Sequence, residues 1–181
     1  MTTITLRLKG HINSSYKIFI QEGVVNSIPS FLKKENIGSK YAIITDSTTK
    51  KLYGDSFLKF LRKNGIKTEI ISFSGGELSK RLETVEKLAE EMVNKNFDRK
   101  DAIIILGGGI AGDMGGMLAS IYMRGMPYIQ IPTTLLAMVD SAIGGKTGVD
   151  LSGGKNLLGT TYQPKAVFID LKYLKTLPDT Q

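Results

Sequence analysis

The chain has 181 residues, 41% hydrophobic and 23% charged, a composition that fits an ordinary globular protein with room for one substantial α/β domain. It has no cysteine, which excludes disulfides, thiolate metal sites and cysteine nucleophiles together, and no apolar run approaches the roughly 18–20 residues of a membrane-spanning helix. The formal charge is +7, yet the only adjacent lysine pairs are Lys33-Lys34 and Lys50-Lys51, and no basic stripe is interleaved with aromatics. That balance argues against a nucleic-acid surface, suits a handler of phosphorylated small molecules, and makes a cytoplasmic enzyme with no membrane partner the expectation.

In chain order, residues 2–8 alternate apolar and polar side chains and pair with Tyr16–Ile20 as a predicted β-hairpin around Lys9-Gly10-His11. YAIIT (Tyr41–Thr45) is a continuous apolar run, the mark of a strand buried on both faces. A helical segment follows to about Lys63, closed by Asn64-Gly65. Lys67–Phe73 is the next strand. Ser79–Asn96 places Leu82, Val85, Leu88, Ala89, Met92 and Val93 at helical spacing. DAIIIL (Asp101–Leu106) is a further strand, and a glycine turn after it opens a helix to about Met123. Tyr128–Ile131 and Lys165–Asp170 complete the strands. Strands alternating with amphipathic helices predict an α/β fold: a Rossmann-like, mostly parallel sheet with helices on both faces, preceded by the hairpin. Ligands then gather beyond the carboxyl ends of the strands.

The glycine turn, ILGGGIAGDMGG (Ile105–Gly116), contains G-x-G-x-x-G after a strand. It departs from a dinucleotide fingerprint in three respects. At least two βαβ units precede it, the next strand ends Gln130-Ile131-Pro132-Thr133 with no ribose-binding acid, and Asp113 would repel a pyrophosphate on the same helix end. Glycines still permit close approach to bare backbone at a helix N-terminus, so an anion site and a plain tight turn both remain open. IPTTLL puts Thr133 and Thr134 between strand and helix, where one of them would cap. MVDSAIGGKTGVDLSGGKN then carries two Gly-Gly-Lys units, ending at Lys146 and Lys155, with Asp140 before the first and Asn156 after the second. A lysine after paired glycines reaches an anion with little steric obstruction, and a neighbouring carboxylate fixes its direction.

The run LGGGIAGDMGG…YMRG…IQIPTTLLAMVDSAIGGKTGVD…GKNLLGTTYQPKAVFIDLKYLKTLP, nearly continuous from Leu106 to Pro178 and reaching back through SGGELSKRLET (Ser74–Thr84), resembles the 3-dehydroquinate synthase family. The resemblance implies an NAD-binding α/β domain spanning residues 1–181, with an all-helical domain starting just after 178 and therefore absent from this chain. By similarity, Asp46, Thr48, Glu77, Lys80, Gly108, Gly109, Asp113, Thr133, Thr134, Lys146, Lys155 and Thr176 would contact NAD. Asp140, Lys146 and Asn156 would face the sugar-phosphate substrate, and Arg124 of YMRG would meet its phosphate, in a homodimer from the neighbouring subunit. Plainer roles stand beside these: Asp46 and Thr48 as helix caps, Ser74 and Glu77 as a capping box, and Arg124 as a cation at a helix C-terminus. The family's pattern has an aspartate where this chain has Gly75.

The implied reaction converts 3-deoxy-D-arabino-heptulosonate 7-phosphate to 3-dehydroquinate and phosphate by transient oxidation with NAD, phosphate elimination, re-reduction and aldol closure. The family's divalent metal, zinc or cobalt, is held by one glutamate and two histidines beyond the equivalent of Gln181, so no metal ligand is expected in this chain. Its single histidine, His11, reads as a surface residue. The 181 residues are accordingly expected to be the NAD-binding part and inactive alone. Two alternatives stay open: another sugar-phosphate cyclase, such as 2-deoxy-scyllo-inosose synthase acting on glucose 6-phosphate, and a non-catalytic NAD-binding module.

Overall fold

The computed structural model describes residues 15–177. Six strands form one sheet in which every neighbouring pair is parallel: β1 (Lys17–Ile20), β2 (Tyr41–Asp46), β3 (Thr68–Phe73), β4 (Ala102–Gly107), β5 (Tyr128–Pro132) and, after a separate hairpin of β6 (Lys146–Leu151) and β7 (Gly154–Thr161), β8 (Ala166–Ile169). The spatial order is β1-β8-β5-β4-β2-β3. The chain steps outward from β2 to β3, returns across β2 to β4, and continues through β5 towards β8. The strand order therefore reverses between β2 and β4, the position where open α/β sheets bind ligands.

The period of two along the buried strands divides the core. Ile43, Ile104 and Ile129 join Ile28 and Leu32 of α1 (Ile28–Glu35) and Phe57 and Leu61 of α3 (Asp55–Lys63) on one face. Ala42, Ile44, Ile103 and Ile105 join Val85, Leu88 and Met92 of α4 (Leu82–Asn94) and Met114, Met117 and Leu118 of α5 (Gly109–Ile121) on the other. Each of these Ile, Leu, Val, Phe and Met side chains contributes about 1.5–3 kcal/mol when fully buried. The α5 segment sits close to the sheet because it is glycine-rich on that side. A Cβ at Gly115 would lie 2.9 Å from Ile105, and one at Gly116 2.5 Å from Thr147 of β6. The same close approach docks the β6–β7 hairpin on α5.

The expected strands after residue 15 are all present, with helices on both faces. Of the expected N-terminal hairpin, residues 2–8 and His11 lie outside the described residues, while β1 pairs in parallel with β8 at the sheet edge. The helical segment after β2 runs through a short α2 (Ser47–Thr49) and a wide π-helical turn (Lys50–Gly54) into α3. Asn64 caps it, and Gly65 follows at φ 76° with its N–H donating to Arg62 O. The α4 helix starts later than its periodicity predicts, at Leu82, because residues 77–79 form a 3₁₀ turn and Lys80 leaves helical geometry at ψ 62°. The β6–β7 hairpin has no counterpart in the sequence reading. Its residues TGVDLSGGKNLLGTT do not alternate cleanly, and its tightest pairing, Gly148 with Gly159, is visible only as backbone contact.

Candidate active site

Two cavities open at the carboxyl end of the sheet, and both draw on the first turns of α5. The first, about 660 Å³, lies at the strand-order reversal and is lined by Asp46, Thr48, Gly108, Gly109, Thr133, Thr134 and Thr176, with Leu52, Tyr53 and Phe73 as an apolar wall. Asp46 at the end of β2 is an N-cap: its Oδ1 accepts from the Thr48 and Thr49 N–H groups, each at 2.9 Å, and its Oδ2 accepts from Thr49 Oγ1 at 2.6 Å. The capping role and the cavity-lining role coincide, because the cap holds the carboxylate at the rim. Thr134 Oγ1 caps the turn after β5 by accepting from Ala137 N, and Thr133 is anchored through its N–H to Gly107 O at 3.0 Å. Thr176 hydrogen-bonds Tyr53, its hydroxyl also donating to Tyr173 O.

The N-terminus of α5 is the electrostatic feature of this cavity. Gly108 is its N-cap and contributes no side-chain cap, so the first-turn N–H groups retain their donor capacity and the positive end of the dipole. A Cβ at Gly108 would lie 3.1 Å from Thr134 Cγ2, and one at Gly109 3.3 Å from Ser141 Oγ. The glycines therefore keep clear a cradle that side chains would fill. That shape, an uncapped thirteen-residue helix and polar rims on two strands fit the pyrophosphate and riboses of a dinucleotide.

The second cavity, about 520 Å³, is lined by Asp113, Asp140, Ser141, Lys146, Thr147, Asn156 and Thr160 among others. Lys146 Nζ donates to Asp140 Oδ1 at 2.5 Å, and both side chains are 60% exposed. The lysine is therefore oriented but reachable by an anion. Beside the second cavity, Lys80 is almost fully enclosed and donates to Asp113 Oδ2 at 2.6 Å and to Asn156 Oδ1 at 2.5 Å. Burial pushes the Asp113 carboxyl above the ordinary aspartate range, against the opposing pull of Lys80 and Lys146.

Of the residues singled out in the sequence, Glu77, Lys80, Lys155 and Arg124 line neither cavity. Glu77 pairs with Lys155 across solvent at 2.7 Å, forming a strap from the loop after β3 to β7 beside the buried Lys80. The alternative capping box from Ser74 to Glu77 does not form; the Ser79 hydroxyl donates to Ser74 O and Gly76 O instead. Arg124 is exposed just beyond α5, in a left-handed conformation at φ 65°. Sequence reasoning missed Tyr53 and Phe73, apolar residues with no motif of their own, and Thr49, whose hydroxyl completes the Asp46 cap. Among the described residues no group of three or more His, Cys, Asp or Glu could hold a metal ion. No helix among them is long and apolar enough to cross a membrane.

Comparison with known proteins agrees with this geometry. A family model described as 3-dehydroquinate synthase N-terminal matches residues 70–181. The 3-dehydroquinate synthase of Latilactobacillus sakei is 44% identical over the whole chain, and that of Clostridium acetobutylicum 46% identical over 91% of it. The chain spans about half the length of these relatives, 50% and 46% respectively. Among solved structures, 2-deoxy-scyllo-inosose synthase complexed with carbaglucose-6-phosphate, NAD+ and Co2+ superposes with TM-score 0.82 at 34% identity, covering 89% of this chain and 44% of that one. A 2-epi-5-epi-valiolone synthase from Streptomyces hygroscopicus with NAD+ and Zn2+ bound gives TM-score 0.83 at 31% identity, covering 95% and 47%. With a glycine-walled cavity at the strand-order reversal, a lysine-bearing cavity beside it, and a family match over most of its length, this chain belongs to the 3-dehydroquinate synthase family.

Proposed function

We propose that the protein carrying this chain converts 3-deoxy-D-arabino-heptulosonate 7-phosphate to 3-dehydroquinate and inorganic phosphate, and that residues 1–181 are its NAD-binding domain. The observation that carries this reading is the pairing of two unlike cavities through one helix: the glycine cradle and the Asp113 carboxylate lie on successive turns of α5. A dinucleotide held in the first cavity would lie on the same helix as a polyol held in the second. When bound, NAD supplies a hydride acceptor and donor.

The chain's own residues bind and orient. The first-turn N–H groups of α5, with Gly108 and Gly109 leaving room, hold the pyrophosphate. Asp46, Thr48, Thr133, Thr134 and Thr176 fix the part of the dinucleotide held in the first cavity; Glu77, Lys80 and Lys155, outside both cavities, and Asp113, on the second, would contact only a part of it that extends past the N-terminus of α5 towards the strap. In the second cavity Lys146, steered by Asp140, donates to an anionic oxygen of the sugar phosphate and stabilises charge that develops during elimination. Asn156 and Asp140 bond the substrate's hydroxyls. Arg124, exposed and outside both cavities, reaches the phosphate of a neighbouring copy in a homodimer, where its planar fork suits bidentate binding.

The higher identity to dehydroquinate synthases, 44–46% against 31–34% for the two cyclase structures, favours this substrate over glucose 6-phosphate. The test is phosphate release by the native-length protein with NAD and a divalent metal, the two substrates assayed in parallel. Release from the heptulosonate phosphate alone is expected. Release only from glucose 6-phosphate would move the protein to the inosose branch, and NAD binding without release from either would reduce it to a binding module.

A further inference from the structure

We infer that Asp150, which lines neither cavity, is the positioning residue that aims Asn156 into the substrate cavity. The inference rests on the proposed role of Asn156. Val149 pairs with Leu158 and Leu151 with Gly154, so Asp150 alone on β6 faces three residues of β7, Lys155, Asn156 and Leu157. This is an enlarged β-bulge, a device that re-aims a side chain by breaking the ladder. Its centre is Asn156 at φ 56°, the left-handed region that non-glycine residues seldom occupy.

A bulge of this size leaves backbone donors without ladder partners, and Asp150 supplies one. Its Oδ1 accepts from Asn156 N at 2.7 Å, and its own N–H donates to Lys80 O at 2.9 Å. The residue is 6% exposed, so its own end of each bond is shielded from competing water, although Asn156 is exposed. One residue thereby joins three parts of the site: the loop ending at Lys80, the bulge, and through Asn156 Oδ1 the Lys80 ammonium that also holds Asp113. With the bulge locked, Asn156 lies at the lysine and the cavity together. A relaxed bulge would let Asn156 return to φ < 0 and swing its side chain away.

The experiment compares Asp150→Ala, Asp150→Asn and Asn156→Ala, alone and as the D150A/N156A double variant, in the native-length protein. Two readouts are taken: hydrogen-exchange protection of the Asn156 amide, and kcat and KM for phosphate release. D150A is expected to lose the amide protection and about tenfold in kcat/KM, whereas D150N, which keeps an acceptor oxygen, retains the protection and most of the rate. In the N156A background the further loss from D150A shrinks to less than about twofold, because a residue acting through Asn156 has nothing left to position. Unchanged protection in D150A overturns the inference whatever the rates. Additive losses in the double variant also overturn it, since Asp150 would then act by another route. If the wild type releases no phosphate, the proposed function fails instead, and the exchange data still decide whether Asp150 holds the bulge.

Discussion

At the scale of single residues, Lys80 is where burial and charge conflict most sharply. Its ammonium is satisfied by one carboxylate and one amide oxygen inside the protein, and replacing it by methionine leaves the Asp113 carboxylate enclosed with only the more distant Lys146 as a cation. We expect Lys80→Met to cost about 2–3 kcal/mol near neutral pH, below the full figure for a buried pair because Asp113 keeps some solvent access. The pH dependence has a definite sign. Asp113 already has a folded-state pKa raised by burial, and loss of Lys80 raises it further. The ionised form is the one penalised, so the deficit relative to wild type is greatest above that raised value. It shrinks as pH falls through it and Asp113 takes up a proton. Urea midpoints of the two proteins between pH 4 and pH 8 check this; a deficit that grows on acidification would contradict it. Lys146 is the opposite case. Its pair with Asp140 is 60% exposed on both sides, so Lys146→Ala should leave the unfolding midpoint nearly unchanged while kcat/KM falls about a hundredfold. Turnover and thermal scans on one preparation separate the two effects.

Among the elements, the β6–β7 hairpin and α5 carry the site, and both rely on glycine for close approach. A Cβ at Gly159 would sit 2.0 Å from Thr147 O, whereas one at Gly153 meets nothing within 4 Å. Gly159→Ala must therefore part the two strands, with an expected loss of about 1–3 kcal/mol and weaker substrate binding, because Lys146 and Asn156 lie on those strands. Gly153→Ala should stay within about 0.5 kcal/mol of wild type. Denaturant titration of both variants tests the contrast, and equal losses would mean that the hairpin pairs differently. These contacts were not legible in the sequence. Gly148 and Gly159 look like loop residues until their cross-strand partner is known. The α5 and β4 segments were legible, because a run of isoleucines followed by three glycines has few other physical outcomes. Thr134 shows both sides: its position between strand and helix announced a cap, and the fold made the same residue a wall of the first cavity.

For the whole molecule, function is a matter of placing two cavities on one helix. A dinucleotide that binds only the folded form should stabilise it by about 2.7 kcal/mol at a hundred times its dissociation constant. Thermal scans of the native-length protein with and without NAD should therefore show a clear upward shift. Gly108→Val puts branched carbons where Thr134 already stands 3.1 Å from the first Cβ, and the shift should largely vanish in that variant, while crowding lowers the ligand-free midpoint by the equivalent of about 1–3 kcal/mol. A full shift in the variant would remove the glycine cradle from the binding site. The extended backbone at Gly108, φ −75° and ψ −168°, is open to any residue, so a loss without ligand reports crowding against Thr134, and the shift on adding NAD, taken from each protein's own ligand-free midpoint, reports binding.

The sequence by itself determined the parallel α/β fold, the six strands of its sheet in chain order though not the β6–β7 hairpin, and the short stretches that bear its chemistry. Those features depend on local periodicity and on residue types that are restricted in what they can do. The tertiary structure alone decided which of those stretches meet. It turned Lys80 inward to Asp113 and Asn156 and left Glu77 and Lys155 as an exposed strap. It set Arg124 outside both cavities, and it gave Asp150 a buried place opposite the bulge. The physical reason is that side-chain direction at a turn or bulge depends on long-range pairing. The strand β7 follows β6 directly, but the contacts that fix the bulge and the Lys80 loop, Asp150 to Lys80 and Lys80 to Asp113 and Asn156, join segments tens of residues apart, and no local pattern encodes them.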